Sequence, residues 1–162
     1  MDDKNSVTLE TPAIACDMTD APDTAEERMA EYARLFAQAL AGRDRTGAGV
    51  RLRFRADEGI EAWVRDLAVR EKACCPFYNF AVSTTGGEVW WDISLVDGVA
   101  DGEEHTARTL LDTYYSAPDY AAEGVAGMMR WLAGEGFAVA TNESGMVMQL
   151  DPTTADEARP GA

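Results

Sequence analysis

Two kinds of hydrophobic pattern share this chain, and their order predicts an α+β fold, a mixed and mostly antiparallel sheet covered by helices. In "GVRLRFRA", Val50, Leu52 and Phe54 point one way and Arg51, Arg53 and Arg55 the other, as in a half-buried strand. "FYNFAVS" and "EVWWDISLV" alternate in the same manner around Thr84-Thr85-Gly86-Gly87, a hairpin turn. Elsewhere the apolar residues recur at helical spacing.

In chain order, residues 1–10 are polar and read as loose, with a short extended stretch at Val7-Leu9. Thr24 and Glu27 form a capping box, and Met29, Tyr32, Ala33, Phe36 and Leu40 continue it as a first helix, which Gly42 is expected to stop. After the arginine-striped strand, Asp57 is expected to cap a second helix with Ile60, Trp63, Val64, Leu67 and Ala68 on its buried stripe. Pro76 ends that helix, because the residue before a proline is pushed out of the helical region. The hairpin follows, with Tyr78, Phe80 and Val82 on one face of its first strand and Val89, Trp91, Ile93 and Leu95 on one face of its second. One further helix carries Ala107, Leu110, Leu111 and Tyr114. Another, after Pro118, carries Tyr120, Val125, Met128, Trp131 and Leu132. A last hairpin spans Phe137 to Leu150 around Asn142 to Gly145. This order predicts one domain over residues 1–150. Residues 151–162, DPTTADEARPGA, have no apolar pattern to bury and read as a disordered tail.

A chain of 162 residues buries roughly 70% of the surface its unfolded form exposes, so folding needs neither disulfides nor a structural metal. The net charge of −15 argues against nucleic acid and anionic membrane as partners, since both require an excess of Lys and Arg at the contact. No apolar run is long enough to span a bilayer. Met1-Asp2-Asp3-Lys4-Asn5 has neither the basic nor the apolar region of a signal peptide, which predicts a cytoplasmic protein. In that reducing compartment the 3 cysteines are expected as free thiols or metal ligands. With 1 histidine, a two-histidine zinc site within one chain is excluded. No glycine-rich phosphate loop, nucleophile elbow or paired-carboxylate motif occurs.

The chemistry concentrates in "REKACCPFYNF", residues 70–80. At 100° per residue from Ile60, Glu71 falls about 20°, Cys74 about −40° and Cys75 about 60° from the stripe centre, all towards the core. A carboxylate there needs a partner, either a strand arginine or backbone amides. The cysteines can pack as small hydrophobes, or they can act as thiols. A disulfide between neighbours is disfavoured, because adjacent Cα atoms stand ~3.8 Å apart against a usual ~4.4–6.8 Å. Cys16, in "AIACDMTD", is the third thiol, and three sulfurs at one point suit a soft cation. A closed structural zinc site is weakly supported, since paired C-x-x-C spacing is absent. A helix C-terminus raises a thiol pKa, so Arg70, Lys72 or the strand arginines would have to offset it.

This segment resembles the E-x-x-C-C-P-F-x-x-F signature of small bacterial proteins, most familiar from actinobacteria, with the likeness running from "IACDM" through "WWDISLV". The positions it carries over are Cys16, Glu71, Cys74, Cys75, Pro76, Phe77 and Phe80. The resemblance implies an association with metal-responsive regulators and with mercury or arsenic handling. Three cysteines and an acid are similar in kind to the sets of organomercurial lyases and arsenite metallochaperones, although the spacing departs from the lyase pattern.

Other candidates have plainer readings. The stripe Arg51, Arg53 and Arg55 could bind an anion, but such a face more often pairs with acidic neighbours. His105, beside Glu103 and Glu104, is expected to be exposed. Met128, Met129, Met146 and Met148 fit core positions at least as well as a thioether site. Trp90 and Asp92 could line a pocket or lie under a helix. The expectation is therefore a thiol-binding protein for a soft metal or organometal, with Cys16, Cys74 and Cys75 as ligands and Glu71 as the nearby acid. The alternatives are a small enzyme or small-molecule-binding protein whose cysteines only pack, and a thiol redox sensor. Whether a reaction is catalysed stays open.

Overall fold

The computed structural model describes residues 15–97, 104–141 and 147–151, and within them the fold is α+β. In chain order the elements are β1 (Ala15–Asp17), α1 (Ala25–Ala39), β2 (Leu40–Arg45), β3 (Gly49–Arg55), α2 (Ile60–Cys74), β4 (Tyr78–Thr85) and β5 (Glu88–Leu95). These are followed by α3 (Glu104–Tyr120), a single 3-10 turn at Ala121–Glu123, α4 (Gly124–Gly134), β6 (Ala138–Thr141) and β7 (Val147–Asp151). Asp151, expected to open the tail, instead closes β7 opposite Ala138, while the rest of the expected tail and the loose segment at 1–10 lie outside the described residues.

Four strands form the larger sheet in the order β2-β3-β5-β4, and three form the smaller in the order β1-β7-β6. Neighbours in both are antiparallel. The turn between β4 and β5 is Gly86-Gly87, both with positive φ (57° and 81°), the backbone that a two-residue hairpin requires and that glycine adopts without strain.

The alternation of β3 and β5 decides which face is covered. Val50, Leu52 and Phe54 oppose Ile93, Trp91 and Val89, and all are buried. Helix α1 lies on this face. Tyr32 stacks on Trp91 at 6.1 Å between ring centroids, and Phe36 on Phe54 at 6.3 Å. Helix α3 is tied to β4 by Tyr78, whose hydroxyl donates to the Ala107 carbonyl at 3.1 Å. Burying large side chains such as Trp91, Leu35 and Leu67 is the main stabilising contribution, about 1.5–3 kcal/mol each. On the opposite face Arg51 meets Asp92, while Arg53 meets Asp44 and Glu88.

Several expectations fail for identifiable reasons. Helix α1 begins at its capping box, with the Glu27 amide donating to Thr24 Oγ1 at 3.1 Å, but ends at Ala39 rather than at Gly42. Leu40–Arg45 is instead β2, a polar strand held by its pairing to β3 and not by any pattern of its own. Gly42 sits at an irregularity of that register, where a Cβ would run into the Arg53 guanidinium. Asp57 does not cap α2 with its side chain. The N-cap is Gly59 at φ 84°, and the Asp57 carbonyl accepts from the Ile60 amide at 3.0 Å. Pro118 lies inside α3 instead of separating two helices. It falls so near the end that its missing N–H affects only the last turn. Strand β1, carrying Cys16, also had no alternation to reveal it.

Candidate functional site

The end of α2 meets the start of α1, the middle of α3 and the short strand β1. Helix α2 contributes Glu71 and Cys74 from its last turn, and Cys75 is its C-cap, its amide donating to the Glu71 carbonyl at 2.7 Å. All three are buried, with exposures of 6%, 5% and 2%. The helical count therefore places the cluster correctly up to the residue at which the helix ends. Strand β1 contributes Cys16, opposite Met148 of β7.

The sulfurs converge. Cys16 Sγ is 2.8 Å from Cys75 Sγ, and Cys74 Sγ is 3.6 Å from Cys75 Sγ. Cys75 is the sulfur that both contacts share. A carboxylate oxygen of Glu71 and the sulfurs of Cys74 and Cys75 all lie within 4.8 Å of one another.

Glu71 is held by neither a strand arginine nor a backbone amide. Its Oε2 accepts from Arg28 at 2.9 Å and its Oε1 from the Tyr114 hydroxyl at 2.5 Å. Arg28, 4% exposed, turns its other edge to Asp23 in a two-point pair, Nε and Nη2 each at 2.7 Å from a carboxylate oxygen. Burial alone would lower the Arg28 pKa, but Asp23 and Glu71 more than offset it and keep the guanidinium charged. Asp23 is in turn held below the usual carboxylate range by its hydrogen bond from Arg28. The strand arginines spend themselves on Asp92, Asp44, Glu88 and Asp57.

The two α2 thiols are unequal. The Cys74 pKa is lowered, first by the hydrogen bond from Cys75 and, more weakly, by Arg28, against burial and the charge of Glu71. Cys75 is pushed well up by its hydrogen bonds with Cys16 and Cys74 and by burial. The groups that lower the Cys74 pKa are Cys75 and Arg28, not Arg70 or Lys72. Arg70 pairs with Asp23, Glu31 and Asp66, and Lys72 donates to the Pro76 and Tyr78 carbonyls.

Two hollows flank these residues, and Arg28 and Cys74 line both. One, of about 110 Å³, runs from the thiols between α1, α3 and α4 and is walled mainly by apolar side chains, Met128 among them. The other, of about 200 Å³, is more polar and has Asp17, Asp20 and Arg70 in its wall. Cys74 is therefore approachable from a polar side and from an apolar one.

Arg28, Asp23 and Tyr114 were not recognised from the sequence as parts of a site. A signal existed for Arg28. Arg28, Tyr32, Leu35 and Ala39 are spaced along one buried face of α1, so the arginine continues the apolar stripe by one turn. Tyr32 belongs to the buried stripe of α1 and is 5% exposed. Its hydroxyl nevertheless has no hydrogen-bond partner among the described residues, and the ring lines the apolar hollow. Burial, and next the charge of Glu71, push that phenol well above its usual pKa. His105 is exposed, and Trp90 lies on the outer sheet face under the Arg51 guanidinium at 4.0 Å. Met146 and the side chain of Met148 fall outside the described residues.

No helix among the described residues is long and apolar enough to cross a membrane. No family model, curated protein or solved structure matches the chain.

Proposed function

We propose that this protein binds a soft metal or metalloid ion, of the mercury or arsenic kind, through Cys75 together with Cys16 and Cys74. The observation that carries the reading is the meeting of three thiols from two elements at Cys75, at 2.8 and 3.6 Å. Two sulfurs on one ion at bond lengths of ~2.3 Å can stand at most ~4.6 Å apart, and ~3.8 Å apart on a tetrahedral centre. The 3.6 Å spacing of the α2 thiols meets this as it stands. The 2.8 Å contact is tighter, so an ion would press Cys16 outward by about 1 Å. Strand β1 can yield, being a three-residue edge strand held by β7 alone in its sheet.

Glu71 is the nearby acid of this site, tuning the thiols or exchanging a proton with what they hold. Arg28 and Tyr114 position it and leave little freedom for it to swing. The reading suits a cytoplasmic bacterial protein that sequesters or passes on a toxic soft ion. It agrees with what the cysteine signature resembles.

Calorimetric titration of the reduced protein with Hg(II) or As(III) tests it. One ion per chain is expected, with protons released because thiols ionise to ligate. Cys75→Ser should lose most of the affinity while still folding. A Cys74→Ser/Cys75→Ser variant that binds as tightly as the parent would overturn the reading.

The 2.8 Å contact between Cys16 and Cys75 favours a second reading, a thiol redox pair. Peroxide would take two electrons and two protons from the pair, joining the sulfurs and leaving as two waters. Peptide mapping should then find Cys16 linked to Cys75. Recovery of both as free thiols after peroxide treatment excludes this alternative.

A further inference from the structure

We infer that the ligand is a soft element carrying one compact organic substituent, and that the apolar hollow beside the thiols is the seat of that substituent. The inference rests on the soft-ion reading and adds the substrate class. A bare ion is satisfied by sulfurs and gains nothing from hydrocarbon walls. Yet the thiols open onto a hollow of about 110 Å³, lined by Met29, Leu110, Ala117, Val125, Met128 and Leu132. An apolar cavity of ~150 Å³ is large enough to hold benzene, so this smaller one, open at the thiols, suits a group no larger than a single ring. The removal of such a group from water favours binding in proportion to the apolar area covered.

Tyr32 is 5% exposed and its ring adds to the wall of this hollow. The Glu71 carboxylate beside its hydroxyl can serve as that group's acceptor, so the occupant need supply none. The neighbouring Glu71 carboxylate disfavours an anionic substituent, and Arg28 is already matched by Asp23 and Glu71. The class is therefore a neutral, largely hydrocarbon group bonded to a thiophilic centre.

For trivalent arsenic bearing one aryl group the exchange balances simply. Two S–H protons join the two hydroxides on arsenic and leave as two waters. Two arsenic–sulfur bonds form, the arsenic–carbon bond stays intact, and no atom changes oxidation state. Cys75 is one of the two sulfurs in either possible pairing, since it lies 2.8 Å from Cys16 and 3.6 Å from Cys74.

The test is titration of the full reduced chain carrying Cys16→Ser with arsenite and with phenylarsine oxide, expressed as a ratio of dissociation constants. That chain, the parent for this comparison, keeps two thiols and so gives arsenite no third arsenic–sulfur bond. The ratio for the same two compounds on dithiothreitol is the reference for an unwalled dithiol. The protein should favour the phenyl compound at least tenfold more than dithiothreitol does. Ala117→Leu and Val125→Phe, which fill the hollow from two helices, should each bring the ratio back to the reference while leaving arsenite affinity within about twofold. A parent ratio equal to that of dithiothreitol overturns the inference and leaves the soft-ion reading standing, as does a preference that survives in a folded filling variant. Failure of both compounds to bind overturns both.

Discussion

Arginine–carboxylate pairs occur in two settings in this protein, at nearly the same distances and with different consequences. On the outer face of the larger sheet, Arg51 reaches Asp92 at 2.7 Å and Arg53 reaches Asp44 at 2.8 Å, with side chains 28–47% exposed. Under α1, Arg28 reaches Asp23 at 2.7 Å and Glu71 at 2.9 Å, with Arg28 5% and Glu71 8% exposed at the side chain. In the first setting water competes for every charge, and the pairs mainly keep a sheet face solvated. In the second, no charge can be left alone. Glu71 is therefore fixed beside two thiols by Arg28 on one oxygen and Tyr114 on the other. Burial, not pairing, separates a site from a surface.

Removing one partner from each setting breaks the comparison if it is wrong. Arg28→Ala strands Glu71 and should cost about 3–5 kcal/mol in chemical denaturation, the largest effect expected here. Glu71→Gln keeps an acceptor for Tyr114 but removes the charge opposite Arg28. It should cost about 1–3 kcal/mol, read from the same denaturation midpoint.

An intermediate case lies at Glu31, which accepts from Arg70 at 2.8 and 2.9 Å and from the Trp63 ring nitrogen at 2.7 Å. The bond from Arg70 is the main cause of its pKa lying below the usual carboxylate value, against a smaller opposing effect of burial. A carboxyl group with a depressed folded pKa adds stability above its unfolded pKa of ~4.3 and loses it as pH falls through the folded value. The stability gap between parent and Glu31→Gln should therefore be level from pH 7 to about 5 and shrink below that. A gap that widens in acid contradicts the assignment. The smallest effect is expected at the sheet face, where Arg53→Ala should change stability by no more than about 1 kcal/mol, and less at high salt.

The same contrast explains what could be read from the sequence. Glu71, Cys74 and Cys75 were legible because one helix fixes their spacing, and local geometry needs no knowledge of neighbours. The charged face of β3 was legible for the same reason, since a strand alternates whatever lies beside it. Arg28 as the partner of Glu71 was not legible. The two are 43 residues apart, and only the packing of α1 on α2 joins them. Strands β1 and β2 were missed because each is defined by its pairing: β2 is mostly polar, and β1 has three residues. Cys16 was singled out as a thiol, but its meeting with Cys75 depends on β7 holding β1 across the chain. Pro118 looks like a helix boundary in the sequence, but its effect on a helix depends on how near the end it falls, and it lies in the last turn of α3.

The central claim is that three thiols, fixed by the fold around Cys75, form a sulfur site. Arsenic-edge X-ray absorption on the full chain, loaded with arsenite and desalted, tests that claim most directly. The account predicts a first shell of sulfur alone, three atoms in the parent, falling in Cys75→Ser together with the arsenic retained. A first shell of oxygen or nitrogen, or a sulfur shell unchanged in Cys75→Ser, would contradict it.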